Sequence, residues 1–554
     1  MANTLLDLFE KNPQLLEWRD KVTLLSRQLV MGFSGSSKAV VMASALSEQV
    51  PKILIVTSTQ NEAEQLTGDL SAILGEDKVY SFFADDVVAA EFIFASPEKT
   101  HSRLESLNFL IDKEASGVLV TSLVGTKLHL PNPKVYKDSR INLALGEEHD
   151  LEALSKHLTH IGYQRVEQVL SPGEFSRRGD ILDIYELTAE LPYRLEFFGD
   201  EIDGIRQFDS DSQKSLDNLE HVIVSPADDI ILTREDYQRA EKALESAVSK
   251  AEGPHKAYLE EVLSVTIDGY RHKDLRKFLS LFYDKAYTLF DYLPKGTPVF
   301  IDDFQKIVDR HGRLELEVAN LLTEDLHQGK SLSHLNYLVD SFKTLRNYQP
   351  ASFFSNFHKG LGNLKFDKLY QFTQYPMQEF FNQFPLLVDE IHRYTKNKAT
   401  VILQVGSEKQ LKSLKETLEE YDLDLPLSSF GDLIPHKPQL VLGNLSNGFY
   451  FADEKLVLVT EREIFHKKVK RRARASHVSN AERLKDYNEL EKGDYVVHQT
   501  HGIGQFKGIE TIEIKGVHRD YLTIQYQDAA TISLPVEQIE SLSKYVSACL
   551  LYTS

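Results

Sequence analysis

Apolar and polar side chains alternate with period two from Tyr193 to Phe198. In an extended strand this puts Tyr193, Leu195 and Phe197 on one face and Arg194, Glu196 and Phe198 on the other. Just upstream, Gly179-Asp180 reads as a turn, and Ile181, Ile184 and Tyr185 are β-formers after it. The stretch from Gly162 to Phe208 is therefore a run of short strands. Its polar face carries a phenylalanine between an arginine and a glutamate. Aromatic and arginine side chains dominate interface anchors, so this face reads either as a protein-binding surface or as a solvated sheet surface with one stray aromatic.

The rest of the chain falls into units with different periodicities. Residues 1 to about 135 alternate helix and strand signals: a strand over 24–30, a helix over 39–49, buried strands over 52–57 and 118–121. This βαβ order predicts a mostly parallel sheet. The segment 234–285 is helical, with Leu259, Val262 and Leu263 on one face and Leu275, Phe278, Leu279 and Phe282 at i, i+3, i+4, i+7. From 363 to 470 a second α/β unit is expected. It has a helix bearing Phe380, Phe384, Leu387 and Ile391, a strand over 400–405 and a helix over 408–421. After 490 the pattern changes to short strands at 495–498, 505–514, 520–526 and 532–536, then a short helix over 537–545.

The expected fold class is thus α/β. A P-loop-type α/β domain (1–136 and 223–362) carries an inserted β-rich domain (137–222). A small α/β domain (363–470), a basic and polar linker (471–489) and a small β-barrel (490–548) follow. The last six residues, Cys549 to Ser554, resemble a translated sequencing adaptor and are left out of the fold, so the sequence reads as a fragment.

Composition narrows the function. The 554 residues carry a net charge of −20 with 42% apolar and 26% charged residues. A chain this acidic repels a phosphate backbone except at a local basic patch, and suits protein partners better. No run approaches the ~18 apolar residues of a membrane span, and the first residues lack the basic region of a signal peptide. One cysteine excludes a disulfide framework or a Cys-based zinc site and fits a reducing, cytoplasmic setting.

Several motifs resemble chemistry without completing it. The turn Gly32-Phe33-Ser34-Gly35-Ser36-Ser37-Lys38-Ala39 stands where a P-loop would, with Gly32 and Lys38 in place. Ser37 replaces the second glycine, and Ala39 replaces the hydroxyl that holds Mg²⁺. The turn reads as a relic kept for helix–sheet packing, and no ATP turnover is expected from it. The strand ending at Asp302-Asp303 resembles a Walker B strand but carries Asp where Glu is usual. Leu386 to His392 mimics a helicase DExH box, yet its helical spacing denies the carboxylates the strand they need. The basic run from His466 to Arg474 is a phosphate-contact candidate or simply a solvated linker. His498 and His501 lack a further ligand pair for a metal.

Two stretches resemble known families. Arg178-Gly179-Asp180 followed by Arg194 through Ile202 is similar to the domain shared by the excision nuclease subunit UvrB and the transcription-repair coupling factors. In that family it docks onto UvrA, and the matching positions are Arg165, Arg178, Arg194, Glu196 and Phe198. The segment Val496-Val497-His498 to Gly504, then Asp520-Tyr521-Leu522 and Leu534-Pro535-Val536, resembles the RNA-polymerase-binding module shared by CarD-type regulators and coupling factors. Ala530 and Thr531 depart from its usual Asp-Lys or Asp-Arg pair. Leu522 would be its polymerase contact, exposed near an open strand edge, with Arg519, Tyr521 and Lys515 around it. The decayed loop, represented by Gly32, Gly35, Lys38 and Asp302, also fits coupling factors, whereas UvrB keeps the full motif.

The resemblance implies a cytoplasmic, monomeric transcription-coupled repair factor. It would bind the β subunit of stalled RNA polymerase and recruit UvrA. ATP and Mg²⁺ would serve a translocase motor that lies outside these residues, as would most DNA contact. The alternative is a UvrB-like ATPase using Gly32 to Lys38.

Overall fold

The computed structural model describes residues 4–7, 12–86, 97–355, 361 and 364–466. Between 481 and 545 it describes 481–483, 493, 495–498, 502–514, 517–525, 531–535 and 542–545. Seven strands form a wholly parallel sheet in the order Lys368–Gln371, Arg27–Met31, Ala351–Ser355, Val299–Asp302, Lys52–Thr57, Gly117–Ser122, Val79–Phe82. Every residue of Lys52–Thr57 and Gly117–Ser122 is buried, as a sheet covered on both faces demands. The pleat divides each strand between two cores. Leu54, Val56, Val299 and Ile301 pack into one with the helices of 97–111 and 234–282. Ile53, Ile55 and Phe300 pack into the other against helices Pro13–Lys21, Ser36–Ser44 and Gln60–Leu74.

Two boundaries differ from the sequence reading. The first strand begins at Arg27, and Leu24 and Leu25 lie exposed before it. The seventh strand, Lys368–Gln371, lies beyond position 362 and still pairs with Arg27–Met31. Only Tyr370 of its four residues is buried, so no apolar run marks it as part of a parallel sheet.

The insertion leaves and returns through a two-stranded ribbon, Ile141–Ala144 with His221–Val224. Between them lies a six-stranded sheet, ordered Ser215–Asn218, Glu201–Phe208, Tyr193–Phe198, Ile181–Ile184, Glu174–Arg178, Gln164–Arg165. One face packs Phe175, Leu182, Ile184, Leu195, Phe197 and Ile205 against helix Leu151–His160. Where the chain re-enters the host, buried Asp229 is held by Arg103 of one helix (3.0 Å) and Arg276 of another (2.6 Å). Helices Arg234–Val248, Gly253–Ile267 and Leu275–Phe282 follow, and Leu275, Phe278, Leu279 and Phe282 are all buried as their spacing requires.

The second α/β unit has six strands in the order Gln374–Pro376, Phe449–Phe451, Leu456–Val459, Thr400–Val405, Pro438–Leu442, Leu427–Ser428. Val401, Leu403, Val405 and Val457 face helices Phe384–Lys396 and Glu408–Glu419. Ile402, Val441 and Leu458 face the other way, into the core that holds Phe33 and Ala39. The two α/β units therefore share one hydrophobic core. Phe380 is buried in the second unit's core but precedes its first helix, which starts at Phe384. Asp389 and Glu390 sit on that helix, so the DExH-like string has no strand beneath its acids.

The C-terminal strands are all antiparallel, in the order Ala481–Arg483, Leu542–Tyr545, Tyr495–His498, Gly502–Ile514, Val517–Gln525, Thr531–Pro535. Leu542–Tyr545 is a strand, not the end of a helix over 537–545: residues 542–544 pair with 496–498. A four-residue stretch has too little periodicity to separate the two, and long-range pairing decides it. Residues 467–474 of the basic run, Lys515 and His501 lie outside the described residues.

Candidate partner-binding face and a closed nucleotide loop

The polar face of the inserted sheet is built by two tight hairpins. Gly179-Asp180 and Gly199-Asp200 each make a two-residue turn with glycine at positive φ, 64° and 66°. The first sets Arg178 opposite Ile181 and Ser176 opposite Asp183. The next pairing sets Asp183 opposite Arg194 and Ile181 opposite Glu196. Arg178, Asp183, Arg194 and Glu196 thus share one face while Leu195 and Phe197 fill the core behind it, the division the alternation predicted. Phe198, beside the second turn, is 84% exposed.

The charged residues of this face are already engaged with one another. Arg194 grips Asp183 with both ends of its fork, Nε to Oδ1 at 2.7 Å and Nη2 to Oδ2 at 2.9 Å. It also donates to the carbonyl and side chain of Gln213 at 3.2 Å and lies 4.4 Å over the Phe208 ring. The hydrogen bonds to Asp183 raise its already high pKa. Arg178 Nη2 reaches the same Asp183 Oδ2 at 2.7 Å. Glu196 accepts from Arg206 at 2.7 Å. Arg165 sits on the edge strand and is exposed. With Val166, Glu167, Gln168, Ser176, Arg177 and Arg178 it lines a cleft of about 490 Å³.

Asp183, Arg206 and Gln213 were absent from the sequence reading. The signal for Asp183 was available: a two-residue turn at Gly179-Asp180 fixes the register, and the register puts Asp183 on the polar face.

The relic loop is sealed by the second α/β unit. Gly32 has φ 97°, and a Cβ there would lie 2.0 Å from the Phe372 carbonyl oxygen. Ser34 gives its N–H to Gln374 Oε1 at 2.9 Å, and Ser37 Oγ donates to the Ser34 carbonyl at 2.7 Å. Ser36 Oγ donates to Asp69 at 2.8 Å and accepts the Asn447 N–H at 2.9 Å. The same Asp69 accepts both the N–H (2.8 Å) and the hydroxyl (2.7 Å) of Ser446. A Cβ at Gly35 would meet the Asn447 side chain at 3.0 Å. Lys38, which in a working loop reaches phosphate, is paired with Asp302 at 2.5 Å. The Ser34 N–H, the Lys38 ammonium and the space beside Gly32 and Gly35 are taken by the protein's own groups.

In the C-terminal sheet, Leu522 is 0% exposed, beside buried Thr523 and Ile524. Its strand is internal: Leu522 lies between Ile509 on one neighbour and Leu534 on the other. The expected exposed position near an open edge is therefore corrected. Leu522 and Ile524, two residues apart on one side of the strand, are both fully buried. Arg519 and Tyr521 lie on the same strand, opposite Ile512 and Glu510.

These features define a multidomain α/β protein with an inserted β-rich domain and a C-terminal antiparallel sheet. The UvrB interaction domain matches residues 141–229, the MFD D3 domain residues 394–464, and the CarD-like/TRCF RID domain residues 490–546. Nearly the whole chain is similar to proteins named transcription-repair-coupling factor. That of Bacillus subtilis (strain 168) is 33% identical over 536 residues, 95% of this chain and 45% of the relative. That of Staphylococcus aureus (strain bovine RF122 / ET3-1) is 29% identical over 530 residues, 94% of this chain and 45% of the relative. The chain spans a little under half the length of these curated relatives. The three domains in this order, with matches along 95% of the chain, support its assignment as a portion of a transcription-repair-coupling factor.

Proposed function

We propose that these residues are the adaptor portion of a coupling factor. The C-terminal sheet binds RNA polymerase stalled at a lesion, through its β subunit, and the inserted domain recruits UvrA. The observation that carries this reading is Phe198, exposed on a face where three arginines pair with two carboxylates, in the domain matched as UvrB interaction domain. ATP-driven translocation that releases polymerase, with its ATP, Mg²⁺ and most DNA contact, is assigned to the remainder of the relatives' length. On this proposal the chain itself turns over no ATP and works as a cytoplasmic monomer. No helix among the described residues is long and apolar enough to cross a membrane. The rival reading, an ATPase using the loop at Gly32, is disfavoured by the Lys38–Asp302 pair and by the segments that fill the loop.

Truncating an aromatic interface anchor typically costs ~2 kcal/mol, roughly thirtyfold in affinity. Phe198→Ala is expected to weaken UvrA binding by that factor in calorimetric titration, with polymerase binding and melting temperature unchanged. Equal UvrA affinities for parent and variant would refute the assignment of this face.

A further inference from the structure

The arginines on the polar face of the inserted sheet differ in what their donors are free to do, and one buried carboxylate makes the difference. Asp183 lies on the face that looks away from the core, yet its side chain is 0% exposed because Arg178 and Arg194 roof it. Arg194 has spent its fork. Of the five N–H donors of a guanidinium, four are engaged with Asp183 and Gln213, and the side chain is only 14% exposed. Arg178 gives one donor to Asp183 and remains 50% exposed at the mouth of the cleft it shares with Arg165.

We infer that Asp183 and Arg194 are positioning residues, and that together they hold Arg178 as the arginine that meets a carboxylate on UvrA. The inference rests on the UvrA-binding reading above. Two guanidiniums on one carboxylate leave a single net positive charge, and Asp183 fixes where it is displayed. Without the anion the two cations repel, and Arg178 regains the rotamer freedom that the contact must then remove. A planar fork held in place binds a carboxylate through two parallel hydrogen bonds, which a freely rotating one does at lower affinity.

The test is calorimetric titration of UvrA into the parent chain, Arg178→Ala, Asp183→Asn and the double variant. Arg178→Ala and Asp183→Asn are each expected to weaken binding tenfold or more. Because Asp183 acts through Arg178, the double variant should be no weaker than the worse single variant within about twofold. A second pair covers the case in which Asp183→Asn does not fold. Arg194→Lys, which keeps a charge on Asp183, should retain affinity within threefold, while Arg178→Lys should lose fivefold or more. Parent-like binding by Asp183→Asn would overturn the inference. So would losses that add in full, or a larger loss for Arg194→Lys than for Arg178→Lys. If the parent does not bind UvrA, or Arg178→Ala and Phe198→Ala both bind as the parent does, the UvrA reading itself falls and takes the inference with it.

Discussion

Gly32→Ala is expected to lower the stability of the α/β region by about 3 kcal/mol or more, the range of backbone and overpacking lesions. Two costs combine. At φ 97° an L side chain is strained, by ~1 kcal/mol or more. The larger cost is the Cβ itself, which would stand 2.0 Å from the Phe372 carbonyl oxygen. The Phe372 N–H is bonded to the Met31 carbonyl at 3.0 Å, so the strand cannot retreat without losing a sheet-edge hydrogen bond. Gly199→Ala supplies the control. Its φ is also positive, 66°, but nothing lies within 4 Å of its Cβ, so only the strain remains. Denaturant midpoints for the two variants separate the accounts. If Gly32→Ala falls no further than Gly199→Ala, the loop is not the closed junction described.

Leu522→Arg is the second large effect. Leu522 is fully buried on an internal strand, and an unpaired charge there costs several kcal/mol. The C-terminal module should lose its cooperative melting transition and its resistance to protease, and polymerase binding should disappear with the fold. An unchanged melting temperature combined with lost polymerase binding would return Leu522 to the role of an exposed contact.

Much of this arrangement was legible in the residues, and the parts that were not share a cause. Period-two alternation placed Leu195 and Phe197 inside and Phe198 outside, because face parity is a local property of a strand. The apolar runs at 52–57 and 118–121 announced buried strands, and Leu275 to Phe282 announced a helix. Ser37 and Ala39 depart from the P-loop pattern at the turn after Gly32. What closes that loop was invisible, since Gln374 and Asn447 come from 340 and 411 positions away along the chain. No local pattern reports such a contact. The same limit hid the edge strand Lys368–Gln371, which buries a single residue and has no apolar run, and the strand at 542–545, which exists through its pairing with 496–498. Asp183 is a different case: turn chemistry already fixed its register, but its burial depends on Arg194, eleven residues on across a strand boundary.

On the function proposed above, one chain carries two separate docking surfaces and needs no nucleotide to use them. Sedimentation velocity of the chain mixed with core RNA polymerase and UvrA, without ATP, tests it most directly. The account predicts a single boundary containing all three, unchanged by added ATP and reduced to the chain–polymerase pair by Phe198→Ala. UvrA and polymerase displacing one another, or association that appears only when ATP is supplied, would contradict it.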